Sequence, residues 1–296
     1  MQIKTHLVII FLSLQLISAS RVTADTDRPV LYLPVDCVPG ESCFIQNYVD
    51  VDPTPAYKDY TCGFLSYNDH KGTDFRLPNL EAMEKGVKVL AAAPGVVRAT
   101  RDSMPDINIK KIDPSLIEGR EAGNSVAIQH GHGWETQYSH LRKGSVVVKS
   151  GQKINTGDVL GLIGMSGNTE FPHMHFSVRH HGKTIDPFTG LPRNRGCGLP
   201  DNNPLWDVSV TRKLEYQPSG ILEAGFTDYI PEARPLHEYL EKKNSLPITA
   251  KRIIFWIQVF GIRKDDIQQL EIISPEGNNF QLLYVILSYT KYLYPE

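Results

Sequence analysis

The sequence predicts a mainly β fold, with a larger core over residues 62–195 and a smaller C-terminal β domain over residues 205–296. Three observations point that way. Glycine-bearing turns cut residues 62–195 into short runs, as between successive strands. In "EFPHMHFSV", residues 170–178, apolar residues fill alternate positions, which is the period of a strand. Helical character is confined to one short segment around "NLEAMEKG".

Residues 1–24 read as a secretory signal. Lys4 precedes an apolar stretch from Leu7 to Ile17, and small residues follow at Ser18, Ala19, Ser20 and Ala24. The stretch is shorter than the roughly 20 residues that span a bilayer, so the expectation is cleavage near Ser20 or Ala24 and no transmembrane helix afterwards. An uncleaved anchor is the competing reading. No cysteine stands at the cleavage sites, which argues against a lipoprotein anchor. Residues 25–61 are rich in Pro and Asp and read as an N-terminal extension packed on the core.

Within the core, "GVKVLAAAPGVVRATRD" reads as strand, Pro94-Gly95 turn, strand. "MPDINIKKIDPSLIEGREAG" reads as a surface excursion. "GNSVAIQHGHGWETQYSHL" reads as a hairpin with its loop at "HGHG", and "GSVVVKSGQKINTGDVLGLIGMSG" as a further strand–turn–strand series. Residues 196–204, rich in Gly, Pro and Asn, read as a linker. Beyond them, "RIIFWIQVFGIRKDDIQQLEIISPEGNN" reads as two strands around "RKDD" with a second turn at "PEGNN", in a small β-sandwich-like domain. "QLLYVILSYTKYLYPE" reads either as a final strand or as a truncated ending.

The chain has 296 residues, 41% hydrophobic and 22% charged, an ordinary globular balance. A formal charge of −2 and the lack of any Lys/Arg-rich run remove the electrostatic case for nucleic acid or an anionic membrane. Export makes the four cysteines a disulfide set. "VPGES" between Cys37 and Cys43 is a natural turn, which favours closing that loop and leaves Cys62 for Cys197. Cys37–Cys62 with Cys43–Cys197 is the competing set.

Four of the ten histidines carry chemistry. On a strand, His173 and His175 point the same way as Ser177 and Arg179, while Met174, Phe176 and Val178 point oppositely. Burying the apolar face leaves two imidazoles side by side; alone, such a pair is more often two satisfied polar residues. "DHKGTDFRLP" adds His70 and Asp74 around Gly72, which allows a bend that brings both to one point. Imidazole and carboxylate are good zinc ligands, and two His with one Asp leave a fourth tetrahedral position for water. His140, in "ETQYSHLRKGS", ends a predicted strand. His130 and His132 belong to the hairpin loop. Other chemistry finds no support: H-E-x-x-H is absent, and "GMSGN" departs from G-x-S-x-G at Asn168.

His70 and Asp74, then "YSHL", then His173 and His175, in that order, resemble the lysostaphin/LytM-type zinc metallopeptidases of bacterial cell walls. "HKGTDF", "VLAAAPGVV", "GWETQYSHL", "GDVLGLIGMSGNTEFPHMHFSV" and "IDPF" agree, and the resemblance covers about residues 62–190. It implies an antiparallel β-sheet as catalytic core, Zn2+ held by His70, Asp74 and His175, and His140 and His173 as unliganded catalytic histidines. It also implies an exported enzyme, periplasmic or secreted, that hydrolyses the peptide cross-links of peptidoglycan stems with zinc-activated water. Two other readings compete with it: an inactive cell-wall-binding or regulatory module keeping the fold, and a peptidase acting on proteins. The sequence leaves the oligomeric state open.

Overall fold

A computed structural model describes residues 28–200, 202–229, 245–273, 276–277 and 279–286. The expected secretory signal lies outside the described residues. Among the described residues, regular structure is mainly strand, as expected, and the largest sheet is eight-stranded and antiparallel.

The sheet is organised around β9 (His173–His180). One edge of β9 is shared between β2 (Thr73–Arg76), which pairs with its first half, and β10 (Lys183–Ile185), which pairs with its second. The other edge pairs with β6 (Trp134–Leu141). Beyond β6 lie β5 (Asn124–Gly131), β4 (Gly95–Arg101) and β7 (Lys153–Ile154). On the far side, β1 (Phe44–Asn47) from the N-terminal extension adds an edge strand to β2.

The local sequence explains these elements. β9 alternates as expected: Met174, Phe176 and Val178 are all buried on one face. They join Phe75, Leu77, Val126, Ile128 and Tyr138 in the core. β5 and β6 form the expected hairpin, turning at His132 and Gly133 with φ of 46° and 80°. Two consecutive positive φ values match the right-handed twist of the paired strands. A single short helix, α1 (Leu80–Lys85), interrupts the core where "NLEAMEKG" predicts it, with Asn79 accepting from the Ala82 amide as N-cap. β3 (Lys88–Leu90) pairs with β8 (Val159–Leu162) in a separate ribbon.

Two segments differ from the sequence expectation. Val146–Val148 is not a strand; it runs beside β8 with a bond from the Val147 amide to the Leu160 carbonyl, too little for a ladder. The residues read as paired around "RKDD" do form β12 (Ile254–Phe260) and β13 (Ile267–Ile273), but these do not pair with each other. β12 pairs with β11 (Gly220–Thr227), and β13 with β14 (Asn279–Ile286). β11 carries Gly, Ala and Glu, weak strand formers, and only the ladder with β12 reveals it.

The flanking regions are tied to the core. Leu31 pairs in both directions across residues 205–207, and Trp206 packs against Phe176 and Phe188. A second helix, α2 (Val208–Thr211), follows. Phe260 of β12 meets Phe44 of β1 at 5.8 Å between ring centroids. The cysteines pair as favoured, with Cα separations of 6.0 Å for Cys37–Cys43 and 5.1 Å for Cys62–Cys197, inside the span a disulfide allows.

Candidate metal centre and the histidines beside it

Strand register assembles the site. β2 and β9 place Asp74 opposite His175, on the sheet face away from the apolar core. His70 arrives from the turn before β2, where its amide donates to the Tyr67 carbonyl. His70 Nε2, Asp74 Oδ1 and His175 Nδ1 then lie 2.8–3.2 Å from one another. Among the described residues this is the one group of three or more metal-ligand side chains that converges.

The donor set fits zinc. His70 Nδ1 lies 2.7 Å from the Tyr48 carbonyl, which can only accept, so Nδ1 carries the proton and a neutral ring leaves Nε2 bare. His175 Nε2 is held 3.0 Å from the Ser177 hydroxyl, which leaves its Nδ1 toward the cluster. Burial lowers the pKa of His175, although the hydrogen bond and charge of Asp74 oppose it. Burial also works against the Asp74 carboxylate, but its contacts with the imidazoles of His70, His173 and His175 outweigh it. The carboxyl is held well below its usual range. Two nitrogens and an anionic oxygen facing one another need a cation or shared protons between them. Ligand atoms around a tetrahedral zinc, at 2.0–2.1 Å, stand about 3.3 Å apart, close to the observed spacing.

The second Asp74 oxygen accepts from Asn47 Nδ2 at 3.0 Å. Asn47 therefore fixes the carboxylate from β1, a role that no local spacing announces. Gly72 acts differently from the expectation. Its φ is not in the left-handed region, so no glycine-specific bend is used. A Cβ there would lie 2.5 Å from His175 Nε2 and 2.6 Å from the Phe176 carbonyl, so the residue is glycine because the ring passes over it.

His140 and His173 stand beside the cluster. Their ring centroids are 4.7 Å apart, and His140 is 6.0 Å from His175. His140 does more than end a strand. It is the extra residue of a bulge, where Ser139 and His140 together oppose Ser125, and its φ is 61°. A side chain other than Gly in that region stores strain, and the surroundings impose it here. The His140 amide donates to Ala122, and its carbonyl accepts from Gly164. His140 Nδ1 donates to the Ser166 carbonyl at 2.7 Å, and His173 Nδ1 to the Phe171 carbonyl at 2.9 Å. In both, the neutral ring keeps a lone pair on Nε2; for His173 that atom lies 3.7 Å from Asp74 Oδ1. Burial lowers both pKa values, and that of His140 falls further because His173 and His175 add to the effect.

The surface excursion contributes a residue that sequence reasoning did not single out. Asp106 accepts from the Lys143 amide at 2.9 Å and the Met165 amide at 2.7 Å, bracing the segments on both sides of the His140 pocket. His130 stays structural, its ring held between the Pro94 carbonyl and the Thr136 hydroxyl.

Residues 68–187 match the model described as "Peptidase family M23". Among curated relatives, the chain is 34% identical over 117 residues to the peptidoglycan DD-endopeptidase ShyA of Vibrio cholerae serotype O1, covering 40% of this chain and 22% of that protein. It is 31% identical over 130 residues to the cell division protein DipM of Caulobacter vibrioides, covering 42% and 19%. The chain thus spans about a fifth of the length of these relatives. Among solved structures, a zinc-containing peptidase from Vibrio cholerae matches at 25% identity and a TM-score of 0.30, covering 47% of this chain and 39% of that one. His70, Asp74, His140, His173 and His175 all fall inside the segment that is similar to peptidase family M23.

Proposed function

We propose that the protein is a zinc metalloendopeptidase that hydrolyses the peptide cross-links of bacterial peptidoglycan outside the cytoplasm. The observation that carries the reading is the convergence of His70 Nε2, Asp74 Oδ1 and His175 Nδ1, with two buried imidazoles beside them whose Nδ1 atoms are already committed. His70, Asp74 and His175 would hold the metal. Zinc bound there supplies Lewis acidity, polarising a peptide carbonyl and bringing the pKa of a water to about 7.

The remaining chemistry belongs to side chains of this chain. His140 and His173 present Nε2 lone pairs on rings that burial keeps neutral, so either can take a proton from water and return it to the leaving amine. Their bonds to the Ser166 and Phe171 carbonyls fix the tautomer and the ring angle. Peptidoglycan as substrate rests on the names of the relatives. Export rests on the N-terminal signal pattern and on two disulfides, which persist in oxidising compartments. Among the described residues no helix is long and apolar enough to cross a membrane.

The test combines metal analysis with digestion of purified peptidoglycan, products being identified by mass spectrometry. Wild type should carry about one zinc per chain and release cleaved cross-links. His70→Ala, Asp74→Ala and His175→Ala should lose the metal. His140→Ala and His173→Ala should keep it and lose activity by about 10²- to 10⁴-fold. Metal loss in these two, to the extent seen in His175→Ala, would overturn the division of roles.

A further inference from the structure

We propose that Arg179 forms a subsite for a free carboxylate of the substrate, on the sheet floor three to four residues along an extended peptide from the metal centre. The proposal rests on the peptidase reading above.

Strand register lays out the floor. On β9, His175, Ser177 and Arg179 share one face, and β6 sets Ser139, Gln137 and Glu135 opposite them in turn. The reverse face of both strands is buried core, so this polar face is the one that substrate can reach. Four residues of strand separate His175 from Arg179 by about 13 Å, the length of three to four residues of an extended peptide. Ser139 and Ser177 are small side chains, which keeps the floor low between the two ends.

The far end is built for an anion. Arg179 Nη1 donates to Glu135 Oε1 at 3.0 Å and Gln137 Oε1 at 2.9 Å. Arg98 Nε holds the other oxygen of Glu135 at 2.6 Å. Two guanidiniums share one carboxylate, so the cluster keeps one positive charge. Glu135 and Gln137 fix the Arg179 plane through Nη1. Among the described residues no acceptor meets its Nε or Nη2, the edge that grips a carboxylate with two parallel bonds. Arg179 and Glu135 also line a recess of about 430 Å³ with Gln129 and Trp134, which gives room for the group that carries the anion. A peptide with a free carboxylate at this distance from the scissile bond would be preferred over its neutral counterpart.

Two probes decide the matter: a cross-linked muropeptide dimer with free carboxylates, and the same dimer with those carboxylates converted to amides. Binding to the zinc-loaded full chain bearing His173→Ala is measured by calorimetry, and cleavage with His173 intact. The acid dimer should bind about tenfold more tightly than the amide, the scale of one hydrogen bond to a charged group. Arg179→Gln should abolish that difference and raise KM for the acid dimer by a similar factor, leaving kcat nearly unchanged. Arg179→Lys, which keeps charge but not the fork, should retain part of the preference and serves if Arg179→Gln does not fold. Equal affinity for the two dimers, or an equal loss on both in Arg179→Gln, would overturn the subsite. If wild type cleaves neither dimer, the peptidoglycan reading falls, while the binding comparison still decides the subsite.

Discussion

Asn47 sits nowhere near the motif histidines in sequence, yet its amide is the group that holds the outer oxygen of Asp74. Without it the carboxylate keeps its place in β2 but gains rotational freedom, and the neighbouring imidazoles lose a fixed partner. Groups that orient metal ligands from behind are worth about 10- to 100-fold in affinity. Asn47→Ala should therefore weaken zinc binding by that factor without unfolding the chain. Competition with a chromogenic chelator measures it, and an unchanged affinity would remove Asn47 from the site. His70, by contrast, takes its orientation from a backbone carbonyl at Tyr48, so no single side-chain deletion frees it.

Among the elements, the bulge in β6 and the excursion before β5 act together. The bulge turns His140 into the pocket at a strained φ, and Asp106 of the excursion braces the two segments around it through the Lys143 and Met165 amides. Replacing this carboxylate leaves two amides without their acceptor and lets the strained segment relax. Asp106→Ala should lower kcat at least tenfold, as expected where a catalytic group is misplaced. Zinc content should stay at the wild-type level, since no ligand is touched. Loss of metal together with activity would show that the excursion supports the whole sheet edge and not His140 in particular.

For the whole molecule, two features govern stability. Cys62–Cys197 closes a loop of 135 residues around the sheet that carries the site. On the chain-entropy account, closing so long a loop stabilises by up to about 5 kcal/mol. Replacing both cysteines by serine should lower Tm by several degrees more than removing Cys37–Cys43, whose separation is only 6 residues, as calorimetry would show. Asp186 is the second feature. Burial, helped by the charge of Asp59 and opposed by the Phe188 and Thr189 amides, raises its pKa from 3.8 to about 7. One of its oxygens meets no partner among the described residues. Between pH 4 and pH 7 the unfolded chain releases this proton while the folded chain retains it, so stability falls as pH rises. Above pH 7 the ionised side chain costs the folded state roughly 4 kcal/mol. The buried histidines work in the opposite direction, since their lowered pKa values make the folded state lose stability as pH drops below 6.5. Comparing Asp186→Asn with wild type cancels them. The variant's Tm should gain on wild type from pH 4 to about pH 7 and level off above it, and a constant difference across that window would sink the assignment.

How much of this was legible in the sequence depends on the range of the interaction. The period of two in "HMHFSV" already sets His173 and His175 on one face and Met174 and Phe176 on the other, because a strand's side-chain direction is a property of a few consecutive bonds. The β5–β6 hairpin, α1 and the short disulfide loop were legible for the same reason, whereas His70 and Asp74 stood out only through the order of the wider motif. The strand order was not, since β2 and β9 are about 100 residues apart and their register follows from packing the whole core. Asp74 facing His175, Asn47 behind it, Asp106 bracing His140 and Arg179 in line with His175 all depend on that register. β11 and the failed strand at Val146–Val148 show the same limit, because a ladder needs a partner that neither segment encodes. Residue chemistry and local geometry belong to the sequence. Which donors meet was decided by tertiary structure, because hydrogen bonds and coordination depend on distances of a few ångströms between segments that only the folded core brings together.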